Sequence, residues 1–119
     1  MKKSYKDLEV WQLSMDLTIQ IYEFTQTLPS EEKFSLSDQM RRAVVSIPSN
    51  IAEGMGRGHN KELIHFLYIA KGSVFELETQ IEICKRLHFI NEMLFDKLQY
   101  IIASINRMLN SLISFYSKN

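Results

Sequence analysis

Residues 92–116 read EMLFDKLQYIIASINRMLNSLISFY, and this segment gives the clearest indication of the fold class. Its apolar residues recur at alternating intervals of four and three positions, the spacing of one face of an α-helix. That stripe consists of Leu94, Leu98, Ile101, Ile105, Met108, Leu112 and Phe115. A neighbouring set widens the apolar surface: Ile102, Leu109, Ile113 and Tyr116. The pattern predicts a helix from about Glu92 to Tyr116, with Asn91 as its N-terminal cap.

Three earlier segments have the same periodicity and predict three more helices. They run from about Leu8 to Leu28, from about Leu36 to Gly56 and from about Lys61 to Leu87. The candidate caps are Asp7 for the first helix, Ser35 in a capping box with Asp38 for the second, and Asn60 for the third. On the third helix the predicted core stripe is Leu63, Phe66, Ala70, Val74, Leu77, Ile81 and Cys84.

The connections between these helices are short, so sequential helices should run antiparallel. The sequence therefore predicts an all-α fold, an antiparallel up-down-up-down four-helix bundle that forms a single domain over residues 1–119. Pro48 lies inside the second helix, where proline removes an amide donor and crowds the preceding turn. Because the apolar stripe keeps its phase across Pro48, we expect a kink there rather than two separate helices.

Composition restricts the functional classes. Positive and negative side chains balance at 14 each, whereas dedicated nucleic-acid binders usually carry an excess of Lys and Arg. Cys84 is the only cysteine, which excludes an intrachain disulfide. The N-terminal segment lacks the apolar run of a signal peptide, and no stretch is long and apolar enough to span a bilayer. We expect a cytoplasmic protein without a membrane partner.

No residue set has the pattern of an enzyme site. Glu62 and His65 form one Glu-x-x-His element, but a di-iron bundle needs two such elements and further inward glutamates. Gly54, Gly56 and Gly58 follow a helix rather than a strand, so they do not form a dinucleotide-binding loop. Cys84 lies on an apolar stripe, which favours a buried structural thiol. We expect no enzymatic activity, no metal and no cofactor.

The second helix and its C-terminal end carry a basic cluster that is the best candidate for nucleic-acid or partner contact: Arg41, Arg42, Arg57 and Lys61. A competing interpretation is ion pairing within the helix. Asp38 precedes Arg42, and Glu53 precedes Arg57, by four residues each, which is the favourable order for helical pairs. Charge runs are usually solvated or paired, and both interpretations stay open from the sequence.

Two features indicate self-association. The first helix has a second apolar stripe, which one subunit cannot bury together with the first. It contains Leu8, Trp11, Met15, Ile19 and Tyr22. Opposite its core stripe, the second helix presents small residues at three-four spacing, namely Ser46, Ser49, Ala52 and Gly56, together with charges that include Glu53. The candidate oligomer interface therefore comprises Trp11, Met15, Tyr22, Ser46, Ser49, Ala52 and Glu53.

Several motifs resemble the family of 23S rRNA intervening-sequence proteins, which are four-helix bundles. They span nearly the whole chain: Tyr5 with Asp7-Leu8-Glu9-Val10-Trp11, Gln39-Met40-Arg41-Arg42-Ala43, Ser46-Ile47-Pro48-Ser49-Asn50-Ile51-Ala52-Glu53-Gly54, Gly72-Ser73, and Glu76-Leu77-Glu78-Thr79-Gln80. The resemblance implies a homopentameric ring. It also implies similarity to the accessory proteins of diversity-generating retroelements, basic pentamers that bind nucleic acid and a reverse transcriptase. The balanced charge of this chain departs from those basic pentamers.

Residues and resemblance together lead to two functional hypotheses. The first is a non-enzymatic, homo-oligomeric bundle, a pentamer by the resemblance, that serves as a scaffold for a partner. The alternative is an accessory protein that binds RNA or DNA, or associates with a reverse transcriptase, through the basic cluster.

Overall fold

The computed structural model describes residues 4–118, in which four long helices and no strand are present. The helices are α1 (Glu9–Thr25), α2 (Leu36–Met55), α3 (Asn60–Arg86) and α4 (Glu92–Ser117). Each helix packs against its neighbours in sequence, and α1 also contacts α4. The predicted all-α class is confirmed, and the packing is that expected of a four-helix bundle. Two short 3₁₀ helices, Tyr5–Asp7 and Ser30–Glu32, precede α1 and α2.

Two of the four predicted helix caps, Ser35 and Asn91, occupy the N-cap position, and Asn91 also makes the capping hydrogen bond. The side chain of Asn91 accepts a hydrogen bond from the Leu94 amide at 2.8 Å, and α4 begins immediately after it. The cap predicted at Asp7 is wrong, because Leu8 precedes the first residue of α1. Asp7 instead completes a capping box with Ser4, one turn earlier, around the first 3₁₀ helix.

At α2 the predicted cap position is confirmed but the capping box is not formed, and at α3 the predicted cap is wrong. Ser35 is the N-cap residue of α2, but its hydroxyl donates to the Glu32 carboxylate at 2.9 Å and caps no amide. Asn60 is already the first residue of α3, after His59. The hydroxyl of Ser35 bonds to a nearby carboxylate instead of a helix amide, and α3 begins one residue earlier than predicted. The residue type alone does not predict either outcome.

The core is one cluster to which all four helices contribute. Its largest fully buried side chains are Leu17, Ile21, Met40, Ile47, Ile51, Leu67, Leu77, Ile81, Leu98, Ile102, Ile105 and Leu109. On α3 the predicted stripe misplaced one position: Phe66 is only half-buried, and Leu67 is fully buried in its place. A one-residue change rotates the side chain by ~100° around the helix, and Phe66 lies beside Gly54 at the end of α2.

On α4 the predicted stripe is displaced toward one flank of the true core face. Ile102, Leu109 and Ile113, predicted only to widen the apolar surface, lie in the core, whereas Phe115 is 59% exposed. Several members of the predicted stripe are only half-buried: Leu94, Ile101, Met108 and Leu112. The α4 helix therefore carries more apolar surface than the core covers.

Helices α2 and α3 approach each other closely at Gly54. A Cβ atom at that position would lie 2.9 Å from the Cβ of Phe66 and 3.1 Å from the carbonyl oxygen of Leu63. Elsewhere along the pair, the hydroxyls of Ser46 and Ser73 are 2.8 Å apart. Residues later in α2 thus meet residues earlier in α3. The α2 helix is continuous through Pro48; a kink there, and the up-down-up-down order of the whole bundle, stay predictions.

The thiol of Cys84 is buried, as the sequence predicted. It is 0% exposed and lies 3.8 Å from the sulfur of Met40. Burial, assisted by the negative charge of Glu32, raises the pKa of Cys84 from 9.0 to about 11. The fold therefore holds the neutral thiol, because an apolar environment disfavours the thiolate.

This pKa shift predicts a loss of stability in alkali. The unfolded chain releases the Cys84 proton near its ordinary pKa, whereas the folded chain retains it up to about 11. The stabilising contribution is therefore complete below pH 9 and falls as pH rises. The expected loss between pH 8 and pH 10 is about 1 kcal/mol. Urea unfolding of the wild type and Cys84→Ala across this range tests it: the difference between their unfolding free energies should shrink as pH rises, and a constant difference would contradict the prediction.

Candidate functional site

The outer surface of α1, on the side next to α2, carries a row of exposed apolar side chains. Met15 and Tyr22 are each 39% exposed, and Ile19 is 60% exposed. Trp11 is half-buried, with its ring edge-on to Tyr5 at a centroid distance of 5.4 Å. On α2, Val45 is 39% exposed and lines a shallow cavity with Tyr22. We call Trp11, Met15, Ile19, Tyr22 and Val45 the apolar face.

Arg41 lies beside this apolar face, between α1 and α2. Its Nε donates a hydrogen bond to the Thr25 hydroxyl at 2.8 Å, and its guanidinium carbon is 5.0 Å from the ring centroid of Tyr22. None of the ion pairs within residues 4–118 involves Arg41. A guanidinium held by a hydroxyl and an aromatic ring keeps its full charge and retains donors for an external acidic group.

The other arginines of the basic cluster have the ion pairs that their spacing predicted. Arg42 lies 3.1 Å from Asp38, and Arg57 lies 2.9 Å from Glu53. The side chain of Arg57 also stacks over Phe66, at 4.8 Å from the ring centroid. These pairs are solvent-exposed, so they contribute little to stability, but they neutralise charge that would otherwise be available to phosphate.

The structure separates the basic cluster into two ends. Arg41 is fourteen positions before Met55, the last residue of α2, which is about 21 Å along the helix axis, and Arg57 lies two residues beyond that end. Lys61 is exposed in the first turn of α3, close in sequence to Arg57. The four residues therefore form no single patch.

The row of small residues on α2 is also divided. Ser46 is half-buried and engaged inside the bundle, where its hydroxyl meets that of Ser73 and accepts from the Asn50 side chain at 2.8 Å. Ser49 and Glu53 are exposed, and Ala52 is half-buried. Ser46 thus belongs to the α2–α3 contact, whereas Ser49, Ala52 and Glu53 extend the outer surface.

A second exposed apolar surface, on α3, was not predicted from the sequence. Tyr68, Ile69, Phe75 and Ile83 are between 39% and 55% exposed. Lys71 lies over both aromatic rings, 6.0 Å from the centroid of Tyr68 and 5.9 Å from that of Phe75. The available signal was that these residues are apolar yet lie outside the core stripe, the same signal that identified Met15 and Tyr22.

The seam between α1 and α4 is the least closely packed of the four helix pairs. A cavity of about 690 Å³ opens at one end, where Leu8 and Glu9 face Arg107, Met108 and Leu112. A second, of about 430 Å³, opens at the other end, where Glu23 and Phe24 face Leu94 and Lys97. We call this seam, with its two cavities, the seam groove.

Residues 4–118 contain neither a cluster of potential metal ligands nor a membrane-spanning helix. No group of three or more His, Cys, Asp or Glu side chains there could hold a metal ion. His65, of the Glu-x-x-His element, lies edge-on to Phe66 at a centroid distance of 5.7 Å. None of the described helices is both long and apolar enough to cross a bilayer.

Comparison with known proteins gives a consistent result. A family model described as 23S rRNA-intervening sequence protein matches residues 6–111. The chain is also similar to a solved structure from Bacteroides thetaiotaomicron, a protein of unknown function from the S23 ribosomal protein family. The identity is 27%, the TM-score is 0.82, and the alignment covers 88% of this chain and 95% of that chain. No curated protein matches the chain significantly.

Proposed function

Since the chain belongs to the 23S rRNA-intervening sequence protein family, we propose that it is a non-enzymatic assembly protein whose copies form a homo-oligomeric scaffold. The observation that carries this proposal is the apolar face, where Met15, Ile19 and Tyr22 are exposed in one row. Burying a large apolar side chain contributes roughly 1.5–3 kcal/mol. Association of copies is therefore favourable, because it removes from water the apolar surface that a monomer exposes.

The placement of the apolar surfaces supports a head-to-tail arrangement. One lies on α1 and α2, and the other lies on α3, around Tyr68 and Phe75. Contact between two different patches repeats from copy to copy and closes into a ring when the rotation permits. The pentamer is the ring size that the resemblance implies. Arg41, which pairs with no carboxylate of the described part of its own chain, is suited to receive an acidic group from the adjacent copy.

Light scattering on the purified protein tests this proposal. The wild type should have a molar mass that is a multiple of 14.0 kDa, fivefold for a pentamer. The Met15→Glu/Ile19→Glu variant should be a monomer, because two carboxylates in the interface lose their hydration. Tyr100→Glu, on α4, is the matched control: Tyr100 is 73% exposed, and its variant should keep the wild-type mass. A monomeric wild type at high concentration refutes the proposal.

One observation favours a second candidate function, nucleic-acid binding: among residues 4–118 the guanidinium of Arg41 is paired with no carboxylate, unlike those of Arg42 and Arg57. An RNA-binding protein should show affinity that falls steeply as salt rises. Arg41→Ala should then weaken RNA retention, whereas Arg86→Ala, whose arginine pairs with Glu82 on α3, should not. Absence of any RNA shift at low salt eliminates this candidate.

A further inference from the structure

The seam groove has an apolar floor that the bundle leaves partly uncovered. Its α4 side is formed by the half-buried stripe described above, which includes Leu94, Met108 and Leu112. Glu9 and Glu23, which line the two cavities from α1, are fourteen positions apart, so the two cavities lie about 21 Å apart along the helix axis. That is the length of about four helical turns.

The two rims of the groove carry opposite charge. Glu9 and Glu23 line it from α1, and Asp16 lies two helical turns from each of them, in the same row. Lys97 and Arg107 line it from α4. No ion pair crosses the seam within residues 4–118. The α1 rim is therefore acidic, the α4 rim is basic, and neither neutralises the other.

We propose that the seam groove is a docking site for one amphipathic helix of a partner protein, with basic residues along the edge that faces α1 and acidic residues along the edge that faces α4. A helix laid between two helices covers an apolar floor with its own apolar stripe. The opposite charges of the rims then fix its orientation and select against helices with a single sign of charge. This inference rests on the proposed scaffold function and names the kind of partner that the scaffold holds.

The position of the groove favours a partner helix over a second copy as the occupant. The head-to-tail contact proposed above uses the apolar surfaces on α1–α2 and on α3, so it leaves the seam groove uncovered. The apolar face proposed for self-association lies on the other flank of α1, next to α2. One subunit can therefore contact another copy and a partner helix at the same time.

Synthetic helical peptides of about 18 residues, each with the same leucine stripe, test the proposal by fluorescence anisotropy. One peptide carries lysines on one edge and glutamates on the other; the second carries lysines on both edges, and the third glutamates on both. The wild type should bind the mixed-edge peptide at least about tenfold more tightly than either other peptide. The Glu9→Lys/Asp16→Lys/Glu23→Lys variant, with two basic rims, should switch its preference to the glutamate-edged peptide.

Two further variants locate the binding. Leu112→Glu should abolish binding of every peptide, and Arg86→Glu, at an exposed site of α3 that lines neither cavity, should bind like the wild type. The proposal is overturned if no peptide binds at about 1 mM, or if the wild type and the charge-reversed variant share one preference. Light scattering on the same samples separates the two proposals: peptide binding by a monomer refutes only the scaffold, whereas dissociation of the oligomer by Leu112→Glu assigns the groove to a second copy.

Discussion

Gly54→Ala should destabilise the folded chain by about 2 kcal/mol, although alanine is the better helix former. The added Cβ would lie 2.9 Å from the Cβ of Phe66 and 3.1 Å from the backbone oxygen of Leu63. Neither atom belongs to the flexible end of a side chain, so α2 and α3 must separate to admit the methyl group. Urea unfolding monitored by circular dichroism measures the change.

Gly72 provides the matched control. It also lies inside a helix, α3, but a Cβ there would have no neighbour within 4 Å. Gly72→Ala should therefore stabilise the chain by about 0.5–1 kcal/mol through helix propensity alone. If the two substitutions change the free energy of unfolding in the same direction, the close approach at Gly54 does not limit packing.

Leu109→Ala should cost about 3 kcal/mol of unfolding free energy, because it leaves a cavity in a fully buried site. Leu109 is 0% exposed, whereas Leu112, one turn later on α4, is half-buried along the seam groove. The same truncation at Leu112 should cost about 1 kcal/mol, since the site is already in contact with solvent. Denaturant unfolding of both variants tests the assignment of the core face of α4. Equal losses at the two positions would contradict it.

The fold class could be predicted from the sequence, but the orientation of α4 could not. Two apolar stripes lie side by side on this helix, and periodicity assigns both to one broad face without showing which is covered. The centre of the core is set by how closely the neighbouring helix approaches, and α1 packs loosely there. The predicted stripe therefore contains Ile105, which is buried, together with Phe115, which is 59% exposed.

The candidate site, like the fold, could be predicted only in part from the sequence. Ion pairs four residues apart depend only on local helix geometry, so the pairs of Arg42 and Arg57 were predicted correctly. The role of Ser46 depends on which helix it faces, and its contact with Ser73 needs the tertiary structure. The opposite charges across the seam groove come from two helices far apart in the chain, and no local pattern places them together.

The single thiol between α2 and α3 has a practical consequence. Because Cys84 is fully enclosed, an alkylating reagent can reach it only when these two helices come apart. Its rate of modification therefore reports how often the bundle opens at that point, under native conditions and without an introduced label. Assembly of copies or docking of a partner should hold the helices together and slow the alkylation of Cys84. The alkylation rate of this one native residue therefore reports on both assembly and docking.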